Sequence, residues 1–397
     1  MQPFIFSFFS GAGFLDLGFE KAGFKIVHAS DISSDFIHAY KFSRRNLKLP
    51  LPEYGCHSGE AGDIKEFIDG NSKTYFEDII TEARRATDII GFIGGPPCPD
   101  FSIGGKNRGR EGNLGKLSTS YIEIICQYKP DFFLFENVKG LWKTKKHRFF
   151  YEELKRKAIK SGYILTENLI NSIEYGVPQD RERIILIGFN NRVLRDNNLL
   201  NHSDSVEKLF PWDKYTSYSK DVLLNYNWPS RNTFGENSIL PCPDNISLEL
   251  TVEFWFSCKN QVKEHFNASH HFKPRSGKAK FMSIEEGDNS RKSFKRLHRW
   301  RYSPTACYGN NEVHLHPYKP RRISVAEALA IQSMPRNFIF PDNLSLTSMF
   351  KAIGNGVPYL AAQGIAKSIF DFLLKPQSYD KIQSKKLDIQ LVLPLEL

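Results

Sequence analysis

The sequence predicts an α/β fold: a doubly wound, mostly parallel sheet with a second, smaller, irregular domain. Three observations carry that expectation. Short β-branched and aromatic runs recur at residues 4–8, 26–30, 89–93, 132–135 and 184–187, with the texture of buried strands. Amphipathic stretches at 14–22, 117–128 and 149–160 alternate with them, as crossover helices do with parallel strands. Beyond residue 190 the alternation gives way to Asn, Ser, His, Trp and Pro among basic residues, and helical texture returns only near 324. The expected division is a main body of residues 1–190 plus 319–375, an inserted domain of residues 191–318, and a tail of residues 376–397.

Composition narrows the function classes. At 397 residues the chain can bury a large core and hold two domains. Six cysteines without a C-x-x-C or regular spacing point to a reducing, cytoplasmic compartment, with no disulfide framework, no thiolate zinc site and no metal centre. The aromatic run at residues 4–9 lacks a basic leader and a cleavage site, so it is not a signal peptide, and no apolar stretch is long enough to span a bilayer. A net charge of +10 admits a polyanionic partner. Residues 256–301 hold twelve Lys and Arg against four Asp and Glu, so most of the excess sits in about an eighth of the chain.

Taken in order, strand 4–8 runs into Phe9-Ser10-Gly11-Ala12-Gly13 and then a helix. Strand, glycine turn and helix N-terminus make a nucleotide-type cofactor site, although an ordinary turn into a helix fits the same residues. Strand 26–30 ends at Asp31, eighteen residues past Gly13, near the spacing at which a carboxylate takes ribose hydroxyls. The third glycine of the dinucleotide fingerprint would fall on Asp16, whose charge would repel a pyrophosphate. An adenosine cofactor without that phosphate pair, such as S-adenosylmethionine, satisfies both constraints.

Residues 41–62 read as an irregular insertion ending at Gly62-Asp63-Ile64, where Asp63 has the chemistry of a helix N-cap. Strand 89–93 ends in Gly94-Gly95-Pro96-Pro97-Cys98. The glycines end the strand and the prolines stiffen the turn, so Cys98 is presented at a strand's carboxyl end, where α/β enzymes place reactive groups. The polar, glycine-rich residues 104–110 follow, with Lys106, Arg108 and Arg110; they read as a solvated linker or as a mobile lid with cations for phosphate. Strand 132–135 stops at Glu136, a candidate proton donor at the same crevice.

A further strand is expected at 163–169. The stretch 175–183 then leads into strand 184–187, and on extended chain Arg181 and Arg183 share a face. Paired guanidiniums suit phosphate or base-oxygen recognition, and also an ordinary salt-bridged strand. In the inserted region Phe294, Trp300 and Tyr302 alternate with basic residues, as on nucleic-acid surfaces or in the core of a small domain. Helix returns at 324–334 behind a capping box of Ser324 and Glu327, and a tight turn at 352–358 opens a last helix at 359–374.

These signals, in this order, closely resemble the DNA (cytosine-5)-methyltransferases, most of all the bacterial modification enzymes. The residues that carry the likeness are the Phe-Ser-Gly-Ala-Gly turn, Ser30-Asp31, Gly62-Asp63-Ile64, Gly-Gly-Pro-Pro-Cys98, Phe-Glu136-Asn-Val, Gln179-Asp-Arg181-Glu-Arg183, Arg322-Ile-Ser-Val-Ala-Glu327 and Gly354-Asn355-Gly356. They cover residues 4–190 and about 303–372. The resemblance implies a Rossmann-like methyltransferase body and, in residues 191–318, a target-recognition domain. It implies Cys98 as nucleophile on cytosine C6, Glu136 as the acid at N3, Arg183 at the base O2 edge, and Arg181 and Ser102 holding phosphates. Phe9 resembles the ring that stacks on adenine, Asp31 the ribose carboxylate, and Asp63 the acceptor of the adenine amino group. Ser10, Gly11, Gly13, Phe14, Ile32, Ile64, Pro96, Asn355 and Val357 complete the implied S-adenosylmethionine site, while Arg296, Arg299 and Arg301 of the basic segment are candidate DNA contacts, as base readers or phosphate anchors.

Three positions depart from the family pattern. Ser7 stands where many relatives have Asp, Phe14 where they have a second Gly, and Pro99 where Gln is common. The implied substrate is double-stranded DNA, met by a monomer whose cognate restriction endonuclease acts separately. The family's tRNA-methylating branch and a DNA-binding relative without activity are the alternatives.

Overall fold

The computed structural model describes residues 2–55, 62–97, 115–196, 206–220, 223, 226–274, 278–308 and 312–374. Seven strands form one sheet: β1 (Phe4–Phe8), β2 (Lys25–Ser30), β3 (Tyr54–Gly55), β4 (Ile90–Gly94), β5 (Phe132–Val138), β6 (Tyr163–Asn171) and β7 (Glu182–Asn190). Their order is β3-β2-β1-β4-β5-β7-β6. Pairings from β3 to β5 are parallel, and β7 runs antiparallel to both of its neighbours. The mostly parallel, doubly wound sheet expected from the sequence is therefore present.

Alternation along the strands builds two cores. Ile5, Ile26, Ile93, Leu134 and Ile187 face one side, packed against the last helix, Tyr359–Leu374. Phe6, Phe8, Phe92, Phe133 and Phe135 face the other, under α3 (Lys73–Ala86) and α4 (Gly115–Tyr128). On the first side α1 (Phe14–Lys21) lies against the last helix so closely that a Cβ on Gly18 would sit 2.5 Å from Cβ of Ala362. Only glycine permits that approach.

The structure differs from the expected elements in three places. Residues 41–46 are not irregular but end α2 (Ser34–Asn46), because Phe36, Ala39, Tyr40 and Ser43 bury one helical face. Helix α3 was not anticipated, nor was the helix Leu346–Asn355 that precedes the turn at 356–358.

Several apolar clusters join the inserted stretch to the body. Val206 and Phe210 lie in the cluster formed with β6, β7 and the last helix. Val252, Trp255, Phe256 and Leu297 share a cluster with Phe14, Leu17 and the helices Val325–Ile331 and Leu346–Asn355. Among the described residues no helix is long and apolar enough to cross a membrane.

Candidate active site

Topology gathers the candidate residues on one edge. The parallel strands β1, β2, β4 and β5 end there, delivering the glycine turn, Asp31, Gly95-Pro96 and Glu136. Because β7 runs the other way, it begins on that same edge and delivers Arg181 and Arg183. The strand order reverses between β1 and β4, and ligands of such sheets bind in the crevice at that switch point.

Glu136 and Arg183 meet through strand register. Val138 pairs with Arg183 on antiparallel strands, so Glu136, two residues back, is the diagonal neighbour of Arg183 on one face. Arg183 Nε lies 3.1 Å from Glu136 Oε1, and both side chains are largely buried. Arg183 Nη1 donates to the Glu182 carbonyl, which fixes the guanidinium plane. The loop after β4 closes onto the same carboxylate: a Cβ on Gly95 would come within 2.8 Å of Glu136 Oε2. Asn137 Nδ2 donates to the Pro96 carbonyl at 3.4 Å, tying that loop to β5. The described chain thus reaches Pro97 beside Glu136. Cys98, Ser102, Lys106, Arg108 and Arg110 lie outside the described residues, as does the tail 376–397.

The cofactor candidates gather around Asp31. Its Oδ2 accepts from Gly11 N–H at 3.0 Å and its Oδ1 from Ser33 N–H at 2.8 Å. Burial pushes the Asp31 carboxyl upward, opposed by those two hydrogen bonds and by Lys351. Phe9, Gly11 and Gly13 all have positive φ, so the turn is held in a form that favours glycine at two of its positions. Gly62 packs on the Asp31 carbonyl, where a Cβ would approach to 2.2 Å, and this brings Asp63 alongside. Asp63 caps the turn Ile64–Phe67, its Oδ1 accepting from Lys65 N–H at 3.1 Å. Ile32 projects with 77% of its surface exposed, Phe9 is half-buried at an edge of Tyr121, and Pro96 is buried.

One observation tests the fit of an adenosine ligand. The Ser10 hydroxyl is buried with no hydrogen-bond partner among the described residues. Together with the Asp31 carboxylate, the exposed Ile32 and the glycine turn, it is a donor set suited to ribose, adenine and a small polar tail. Asn355 is exposed at the end of the helix Leu346–Asn355, and Val357 is buried just beyond it.

Several expectations need correction. The Asp16 side chain is committed to the core: it is wholly buried, accepting from Ser7 Oγ at 2.6 Å and Tyr40 Oη at 2.9 Å. The departure at Ser7 is thereby explained as a core partner of Asp16. The Phe14 ring is core, packed on Phe338 and beneath Gly356, and Ile64 is core as well. Only their main chains are left to meet a cofactor.

Arg181 is not a phosphate contact. It is buried, with Nη1 donating to the Ala306 carbonyl at 3.1 Å and Nη2 to the Gly354 carbonyl at 3.0 Å. Burial and the charge of Arg183 lower its pKa to about 9, so it remains a cation at neutral pH. Arg296 and Arg299 are not DNA contacts either. Arg296 is fully buried and donates from Nε to the Ile284 carbonyl and from Nη1 to the His316 carbonyl. Arg299 makes a bidentate pair with Glu286, at 2.9 and 2.8 Å. Arg301 is half-buried over the ring of Tyr302.

Sequence reasoning also missed a link between motifs. Gln179 Nε2 donates to Gln332 Oε1 at 3.0 Å, and Gln332 in turn donates to the Ile353 carbonyl. Two buried glutamines thus join the start of β7 to the Gly354-Asn355-Gly356 corner.

Fold and site define a methyltransferase, and residues 4–371 match the family of C-5 cytosine-specific DNA methylases. The chain belongs to that family, and its activity is DNA cytosine-5 methylation. It is 54% identical over 372 residues to the Type II methyltransferase M.NmeDI of Neisseria meningitidis serogroup C, covering 94% of this chain and 84% of that one. The Type II methyltransferase M.FnuDI of Fusobacterium nucleatum is 29% identical over 401 residues, covering 95% and 97%. Two crystal structures share the fold. A prophage-encoded protein of E. coli superposes with a TM-score of 0.61 at 22% identity, covering 94% of this chain and 99% of that one. The Dnmt2 methyltransferase of S. pombe gives 0.57 at 13%, covering 95% and 99%.

Proposed function

We propose that this protein is the modification enzyme of a type II restriction-modification system, methylating cytosine C5 within one duplex sequence through Cys98. The observation that carries the reading is the Glu136–Arg183 pair at 3.1 Å, with the loop that leads to Cys98 folded against the same carboxylate. S-Adenosylmethionine, held by Asp31, Asp63, Phe9, Ile32 and the glycine turn, would supply an electrophilic methyl group.

Cytosine C5 is a poor nucleophile until a group adds at C6. The Cys98 thiolate adds there, and Glu136 protonates N3, so the ring becomes an enamine as the S–C6 bond forms. Arg183 holds Glu136 and meets the base O2 edge, orienting the ring between the two. After methylation at C5, loss of the C5 proton and expulsion of the thiolate restore the aromatic ring and free Cys98. None of these atoms is reachable in a stacked duplex, so the base must be turned out, at a cost of a few kcal/mol. Cationic contacts to phosphate from the Lys106–Arg110 stretch would offset part of that.

The division into residues 1–190 plus 319–375 for chemistry and 191–318 for target choice belongs to the same reading. So do a monomeric state and a nuclease that acts separately. Methyl transfer from labelled S-adenosylmethionine, offered to unmodified duplex DNA and to tRNA, is the test. Incorporation into duplex DNA at one recurring sequence is expected; label in tRNA alone would contradict the reading.

A further inference from the structure

We infer that residues 235–240 form a base-reading loop, in which Glu236, Asn237 and Ile239 face the grooves of the target duplex. The inference rests on the proposed function and names the residues that would choose its target. It begins from the burial of Arg296 and Arg299. These two arginines of the basic segment are scaffold, and what they support is this loop.

Anchors recur along the segment. Asn232 and Glu286 exchange both main-chain hydrogen bonds, at 3.0 and 2.9 Å. The Arg296 guanidinium lies 4.0 Å from the centre of the Phe234 ring. Asn237 N–H donates to the Tyr318 carbonyl at 2.8 Å, and Arg299 donates to both the carbonyl and the hydroxyl of Ser238, at 2.6 and 3.0 Å. Trp300 Nε1 donates to the Leu240 carbonyl at 2.9 Å. Between these fixed points the side chains of Glu236 and Asn237 are exposed, and Ile239 has 97% of its surface in solvent. Asn237 also sits at φ +55°, a left-handed turn position that Asn adopts more readily than most residues.

Ile239, on this anchored main chain, packs on nothing among the described residues. The chemistry is that of base edges. Glutamate accepts from cytosine N4, asparagine pairs with adenine N6 and N7, and an aliphatic group meets a thymine methyl. Residues 232–240 contain no Lys or Arg, so the loop carries no cation with which to pair a phosphate. Readers of base edges specify, whereas phosphate contacts only position. The loop is also near the chemistry. Ser303 lies four residue steps beyond Arg299, at most about 14 Å of chain. Ser303 pairs through its main chain with Pro178 and Asp180, just before Arg181 and Arg183.

The test uses the full chain, S-adenosylmethionine and unmodified genomic DNA, with methylated positions mapped by bisulfite sequencing. Variants Ile239→Ser and Glu236→Gln are compared with Ile159→Ser, an exposed isoleucine on the helix Lys145–Lys160. The first two should lower kcat/KM at the cognate site roughly ten- to a hundred-fold and relax one position of it. Melting temperature and S-adenosylmethionine affinity should match wild type, and Ile159→Ser should behave as wild type throughout. An unchanged sequence and kcat/KM in both loop variants would overturn the inference and leave the proposed function standing. Equal weakening on every sequence would also overturn it, because that marks phosphate contact. A wild-type protein that methylated no DNA would overturn the proposed function and the loop assignment with it.

Discussion

Single residues carry the chemistry, and each has a distinct signature. On the proposed function, replacing Asp31 by Ala would remove a charge-assisted hydrogen bond to ribose, worth about 1.5–3 kcal/mol. Calorimetry should show S-adenosylmethionine affinity falling by roughly ten- to a hundred-fold, and unchanged affinity would put the nucleotide site elsewhere. Arg183→Lys keeps the charge but loses the planar guanidinium whose Nε lies beside Glu136. Its single-turnover rate should fall by at least about ten-fold, the size of one lost charged hydrogen bond, with little change in cofactor affinity. An unaltered rate would mean that Arg183 does not orient the base. The placement of Glu136, Arg183 and Asp31 at strand ends was legible in the sequence, because periodicity reveals where strands end. The fates of Arg296 and Arg299 were not legible. An arginine buried against carbonyls or a glutamate has the same neighbours in sequence as one that grips phosphate, and only the tertiary position of Glu286 decides between them.

At the scale of elements, the active edge is held together by buried side chains. Arg181 clamps residue 306 and the Gly354 corner onto the start of β7, and Gln179 with Gln332 repeats the tie one layer away. Arg181→Met should therefore cost about 3 kcal/mol in unfolding free energy, since it strands two carbonyls around a buried side chain. The salt dependence of DNA binding should keep its slope. A slope reduced by about one ion with stability intact would restore Arg181 to the phosphate backbone. The same scale shows where sequence reading stopped. Strands β1, β2, β4 and β5 announce themselves by short, largely apolar runs. The helix Leu346–Asn355 does not, because its buried Met349, Phe350, Ala352 and Ile353 sit beside the Gly354 and Gly356 that read as turn. Its apolar face needs the Trp255 and Leu297 cluster to make sense.

For the whole molecule, one buried carboxylate beneath the cofactor turn couples stability to pH. Burial raises Asp16 from its ordinary 3.8 to about 6, with Glu20 adding to the shift and Ser7, Tyr40 and Arg44 opposing it. The folded state therefore binds this proton more tightly than the unfolded chain does. The stability that Asp16 contributes is full below about pH 3.8 and is lost as pH rises through about 6. The expected loss is on the order of 3 kcal/mol. In urea titrations, the difference between wild type and Asp16→Asn should fall between pH 4 and 6 and level off above; a difference independent of pH would contradict the assignment. The central claim is wider than any one group: this fold brings a thiolate to cytosine C6 beside Glu136. It is tested most directly by incubating the protein with S-adenosylmethionine and duplex DNA carrying 5-fluorocytosine, whose fluorine cannot leave as a proton. The account predicts a protein–DNA adduct that survives denaturation, carries one transferred methyl group and maps by mass spectrometry to Cys98, and that vanishes in Cys98→Ser. Methylation of ordinary DNA with no such adduct, or an adduct at another residue, would contradict it.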